Sequence, residues 1–172
     1  MSQPRPLVCA LALACLTGIG THAAAVRAQA TTLSAMPPAV GLTEVFAVDD
    51  LTGVALSGFD PVSYFLGDGP KAGLPEHEVV WSGVAWRFAS AANREAFLRD
   101  PEPYAPRFGG YDATSVAQGL TVRANPWLSV VRADGLYLFR TDHGRARFVA
   151  DPGLAAKAEE RWASLKPVLV QP

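Results

Sequence analysis

The side chains best suited to chemistry in this chain are Asp60, Tyr64, Tyr111, Asp112 and the histidines His77 and His143. Asp60 opens an Asp-Pro-Val turn, and Tyr111-Asp112 follows Gly109-Gly110, so two carboxylates and two phenols stand beside turn residues. A pocket shared by Asp60, Tyr64, Tyr111 and Asp112 would offer hard oxygen donors, with His143 as one nitrogen, a set that suits a hard cation. Each residue also has a structural reading. Asp60-Pro61 makes a turn, and the two tyrosines bury their rings with hydroxyls satisfied. Gly109-Gly110 either lets a ligand approach the backbone or closes a tight turn. Asp112 precedes a helical run and reads as its N-cap, where free amides and the helix dipole favour a carboxylate. Neither histidine falls in a metal-binding spacing. His77 sits in the loop-like PEHE and His143 in the first turn of an expected helix, and both read as exposed.

Catalysis has little to rest on. The sequence has no Gly-x-Ser-x-Gly elbow, no phosphate-cradling loop with lysine and no haem-attachment motif. The reading therefore favours a non-enzymatic protein, with an enzyme or hard-metal site on the same residues as the alternative.

The two cysteines, Cys9 and Cys15, lie within the first thirty residues. Arg5 opens that stretch, an apolar run from 7 to 20 follows, and Ala28-Gln29-Ala30 supplies the small-x-small pattern cut by signal peptidases. Residues 1–30 are read as a secretory signal, with export to the periplasm or medium. A lipoprotein anchored at Cys15 is the alternative. Cleavage would leave 142 residues without a thiol, so neither disulfides nor thiolate metal sites are expected there. Copper(I) wants soft sulfur, and Met36 alone would remain to offer it. No cofactor is expected, a metal ion being the alternative.

Hydrophobic residues make up 49% of the 172 and charged residues 18%, which requires a packed core and argues against disorder. The net charge of −1 provides no basic field for nucleic acid. Arginines 94, 99, 107, 123, 145 and 147 are dispersed among acids, as on a solvated surface. An unidentified protein or small ligand is the expected partner, with no transmembrane segment after cleavage.

The elements that must position these residues can be read in order. Residues 31–40 are small, polar and proline-bearing and read as a flexible leader, 41–167 as the folded domain, and 168–172 as a tail. Strands are expected at 44–48, 78–81, 85–89, 127–131 and 136–140, from β-branched and aromatic runs bounded by Gly, Pro and Asp. Ala133-Asp134-Gly135 marks a hairpin turn. Helices are expected at 91–99, capped by Ser90 and stopped by Pro101, at 113–118 between Asp112 and Gly119, at 142–150, and at 154–166. The last of these places Leu154, Ala158, Trp162 and Leu165 on one stripe that should dock on the core.

Sliding the chain by 51 residues superposes Trp86, Phe88, Ser90, Arg94, Phe97 and Asp100-Pro101 on Tyr137, Phe139, Thr141, Arg145, Phe148 and Asp151-Pro152. The repeated unit is a strand, a hydroxyl cap, a helix and an Asp-Pro stop. The expected fold is α+β: a small, mostly antiparallel sheet with three or four helices and a possible internal strand-helix duplication. Trp86, Phe88, Phe97, Tyr137, Leu138, Phe139, Phe148 and Trp162 are the expected core.

The segments GFDPVSYF (58–65), WRFASAANREAFLRDPEPYAPRFGGY (86–111) and VAQG (116–119) together are similar to the YHS domain in its longer, secreted bacterial form. The resemblance runs from about residue 56 through the last helix. It implies a binding or accessory protein. Short YHS domains beside metal-handling proteins are thought to bind metal through cysteines, one after Asp-Pro-Val and two at the strand-to-helix junction. Those positions here are Ser63, Ala89 and Asn93, so the three thiolates are absent. The longer members commonly carry Gly-Gly-Tyr-Cys, and Asp112 stands in place of that cysteine.

Overall fold

Two β-hairpins, each followed by a helix that folds back over it, organise the chain. The structure, a computed structural model, describes residues 44–169. The expected signal at 1–30, the leader at 31–40 and the last three residues of the tail lie outside the described residues. The expected class is the class found, an α+β fold with four α-helices and two small antiparallel sheets among the described residues.

Strand β1 (Leu74–Trp81) pairs with β2 (Val84–Phe88), and helix α1 (Ala91–Arg99) follows. Strand β3 (Asn125–Arg132) pairs with β4 (Gly135–Phe139), and helix α3 (Asp142–Ala150) follows. Every boundary of the second set lies 51 residues after its counterpart. The bulge repeats too, the register shifting between Leu74 and Glu78 in one hairpin and between Asn125 and Ser129 in the other. His77, expected in a loop, instead stands in the bulged part of β1.

The helix ends follow local rules. Ser90 accepts from the Asn93 amide at 3.2 Å and Thr141 from the Gly144 amide at 3.0 Å, each hydroxyl satisfying one otherwise unpaired N–H of a first turn. Asp100-Pro101 and Asp151-Pro152 then end α1 and α3, because proline has no N–H to continue the ladder. Helix α2 (Ala113–Val116) is shorter than expected. After Val116 the chain tightens into bonds from Gln118 to the Ser115 carbonyl and from Gly119 to that of Val116, then turns at Gly119 with φ +82°. Helix α4 (Gly153–Leu165) closes the fold.

The strands form two hairpins rather than one continuous sheet. The free edge of β2 is taken by a parallel bridge between Val54 and Ala85, and that of β4 by bridges from Pro106 to Leu136 and from Asp112 to Leu138. Those edges are thus occupied by loop segments, and the two hairpins do not pair with each other. Residues 44–48, expected as a strand, make only isolated contacts: Val48 bridges Ala55, and the Ala47 amide donates to the Gly109 carbonyl at 2.8 Å.

Two aromatic cores result. Trp86, Phe88 and Phe97 centre the first, with Phe88 and Phe97 ring centroids 5.1 Å apart. Tyr137, Phe139 and Phe148 centre the second, with Phe139 and Phe148 at 5.0 Å. Strand β4 is buried on both faces: Leu136 and Leu138 point into the first core, Tyr137 and Phe139 into the second. Period-2 alternation thereby makes one strand the joint of the two halves. The stripe of α4 docks as expected, with Ala158 buried and Leu154, Trp162 and Leu165 half-buried against the second core.

Candidate functional site

Asp60 is the most enclosed polar group among the expected site residues, with 0% of its surface exposed. Its Oδ1 accepts from the amides of Val62 at 2.8 Å and Ser63 at 3.3 Å. Its Oδ2 accepts from the Ala89 amide at 2.8 Å and from Asn93 Nδ2 at 2.6 Å. Ser63, Ala89 and Asn93, where the resemblance puts cysteines, therefore meet around one carboxylate. The geometry is that of a buried carboxylate whose hydrogen-bonding capacity is met by four N–H donors of this chain. The strand-to-helix junction of the first half supplies Ala89 and Asn93, and the Asp-Pro turn supplies the rest.

Asp112 acts as the cap its sequence position predicts. It accepts from the amides of Thr114 at 3.4 Å and Ser115 at 3.2 Å, and its Oδ2 also accepts from the hydroxyls of Thr114 at 2.9 Å and Ser115 at 2.6 Å. Tyr64 donates its hydroxyl to the Pro126 carbonyl at 2.9 Å, and Tyr111 to the Glu44 carbonyl at 2.5 Å. Burial pushes the Tyr64 phenol above its ordinary range, with the charge of Asp60 adding to the rise. Burial likewise pushes Tyr111 up to about 12, Arg123 opposing and Glu44 adding. His143 is exposed in the first turn of α3. No hydrogen bond among the described residues joins Asp60 and Tyr64 to Tyr111 and Asp112. Among the described residues, no group of three or more His, Cys, Asp or Glu is placed to hold a metal ion.

The two aspartates are counterparts. Leu56-Ser57-Gly58 and Phe108-Gly109-Gly110 both run through three consecutive residues with positive φ, at 54°, 51° and 84° and at 57°, 62° and 88°. The amide of Asp60 then donates to the Lys71 carbonyl, and that of Asp112 to the Val122 carbonyl. Phe59 bridges Ala72 as Tyr111 bridges Arg123. These matches lie 52 residues apart up to the aspartates and 51 afterwards, so one residue separates the two turns in length. Sliding the sequence by 52 would have exposed the shared Gly-aromatic-Asp-x-x-Ser of 58–63 and 110–115.

Two clefts, of about 340 and 270 Å³, open on the described surface, and none of the five expected site residues lines either. The larger lies where the hairpin turn at Trp81 and Ser82 faces Phe108 and Gly109 of the second half and Glu159 and Trp162 of α4. Arg107 on its wall donates from both Nε, at 3.0 Å, and Nη2 to the same oxygen of Glu159, Oε1. Burial depresses the Arg107 guanidinium, but the hydrogen bond and charge of Glu159 outweigh this and raise it overall. Nothing in the sequence marked this pair, whose members are 52 residues apart and belong to no motif.

Compared with protein-family models, curated proteins and solved structures, the chain matches none. No helix of the described residues is long and apolar enough to cross a membrane.

Proposed function

We propose that this chain is an exported, non-enzymatic binding or accessory protein of the YHS type that works without thiolate metal ligation. The observation that carries the reading is the Asp60 carboxylate. Where the resemblance would gather thiolates, this chain gathers Ser63, Ala89 and Asn93 around its own buried anion, whose two oxygens already accept four N–H bonds. Each oxygen is satisfied by donors, so a cation would have to displace bonds that hold the Asp-Pro turn to α1.

Elemental analysis of the full chain purified without a tag tests the reading. Transition metal well below one equivalent is expected, and a stoichiometric amount would overturn it. Export is tested by mass spectrometry of the protein recovered from its host: a mature N-terminus at Thr31 is expected, whereas a lipidated Cys15 would move the protein to a membrane surface.

A further inference from the structure

We propose that the larger cleft binds a small zwitterion carrying an alkylated ammonium at one end and a carboxylate at the other. The inference deepens the binding-protein reading and rests on it. A volume of about 340 Å³ falls in the range of small-molecule sites, and the cleft lies on the seam between the two halves, where such sites concentrate.

Its walls decide the chemistry. Trp81 and Trp162 line it and are half-buried, with Phe46 beside the first at 5.7 Å and Phe108 beside the second at 6.0 Å between ring centroids. Indole faces attract cations. An alkylated ammonium has no N–H to leave unsatisfied among them, so it suits such walls better than a primary amine. The charged lining is balanced, Glu102 and Glu159 against Arg107 and Lys166. With Arg107 and Glu159 already facing each other, a ligand of net charge would unbalance that set, whereas a zwitterion leaves it neutral and meets both signs.

The Arg107–Glu159 pair is built to do this. Both guanidinium bonds fall on Oε1, so among the described residues Oε2 accepts no hydrogen bond and Nη1 donates none. One side of the pair thus offers a donor to a carboxylate and the other a negative oxygen to a cation. Arg107 precedes Phe108, whose positive φ, with that of Gly109, turns the chain where it lines the cleft.

Titration of the metal-free full chain with carnitine and with glycine betaine, followed by calorimetry and by tryptophan fluorescence, tests the proposal. Saturable binding of at least one zwitterion is expected, with tetramethylammonium alone and acetate alone at least tenfold weaker. Glu159→Gln should weaken binding at least tenfold while the empty protein melts near wild type, since the pair is partly exposed. Trp162→Phe, which keeps a ring in the wall, should weaken it less. No binding of either zwitterion up to about 10 mM, the weak end of specific affinity, would overturn the proposal, as would unchanged affinity in Glu159→Gln. A stoichiometric metal in the purified protein would instead count against the metal-free reading and leave the cleft titration standing, so the two failures are distinct.

Discussion

The carboxylates of Asp60 and Asp112 each accept from the amides two and three residues ahead, at 2.8 and 3.3 Å in the first half and 3.4 and 3.2 Å in the second. Beyond that shared turn they differ. Asp60 also receives Ala89 and Asn93 from the strand-to-helix junction, whereas Asp112 receives the adjacent hydroxyls of Thr114 and Ser115. The position matching Asn93 is Gly144, where a Cβ would stand 2.9 Å from Thr114 Oγ1. Thus the space that the asparagine uses in one half is closed by a threonine in the other.

This difference predicts unequal responses to one substitution. Asp112→Asn should be nearly neutral, because asparagine caps as well: with its amide nitrogen in place of Oδ1 it gives up only the long 3.4 Å bond from the Thr114 amide, and the Thr114 hydroxyl can turn to accept from it; Asp112→Ala should cost about 0.5–2 kcal/mol. Asp60→Asn should cost about 1–3 kcal/mol, because an amide nitrogen facing the Ala89 N–H and Asn93 Nδ2, or the amides of Val62 and Ser63, sets donor against donor in a buried place. Urea melts of the three variants check this. Added divalent metal is expected to shift none of them; a metal-dependent rise in wild type that vanishes in Asp112→Asn would restore a cation role for that residue.

Gly109→Ala should be strongly destabilising, by about 3 kcal/mol or more. The position has φ +62°, and an added Cβ would lie 1.8 Å from the Val45 carbonyl oxygen, a backbone atom that cannot swing away. Hydrogen exchange should show the Ala47 amide, which donates to Gly109, losing protection first.

Arg132 and Trp81 are counterparts that cover the helix aromatics in different ways. Trp81 meets Phe97 edge-on at 5.5 Å, while the Arg132 guanidinium lies 4.4 Å from the Phe148 ring centroid and donates to the Phe148 carbonyl at 3.0 Å. Arg132→Ala should cost about 2–4 kcal/mol, the sum of a cation–π contact of about 0.5–1 kcal/mol and a charged hydrogen bond of about 1.5–3 kcal/mol. A double-mutant cycle with Phe148→Leu measures the ring's share.

Alkaline stability should follow the buried phenols. Burial first, then the bond to Asp134, pushes Tyr137 up to about 12, and Tyr111 is raised to the same region. The folded protein holds these protons while the unfolded chain releases them near 10, so stability is full below about pH 10 and falls as pH rises through about 12. Absorbance of tyrosinate near 295 nm should therefore rise together with loss of circular dichroism. Ionisation of Tyr111 and Tyr137 near 10 in a still-folded protein would contradict the burial argument.

What could be read directly from the sequence was local. Ser90 and Thr141 cap, and the two Asp-Pro pairs stop, because capping and proline act within one helical turn; α1 and α3 consequently end where the residues say. The aromatics of β2 and β4 were legible as core because period 2 fixes which side chains share a face, and the offset of 51 was visible because the caps and stops repeat with them. Residues 44–48 show the limit, since a strand-like run becomes a strand only where a partner edge is open, and Gly109 offers it a single carbonyl.

Tertiary structure decided the rest, since it depends on contacts between residues far apart in the chain. Leu56, Ser57 and Phe108 take positive φ, which their side chains disfavour by about 1–2 kcal/mol each, and no local pattern announces that. The surroundings of Asp60 come from Ala89 and Asn93, 29 and 33 residues away, and turn a turn residue into the centre of a buried network. Arg107 meets Glu159 only because α4 folds back over the second core, so the cleft they line exists in no segment of the sequence taken alone.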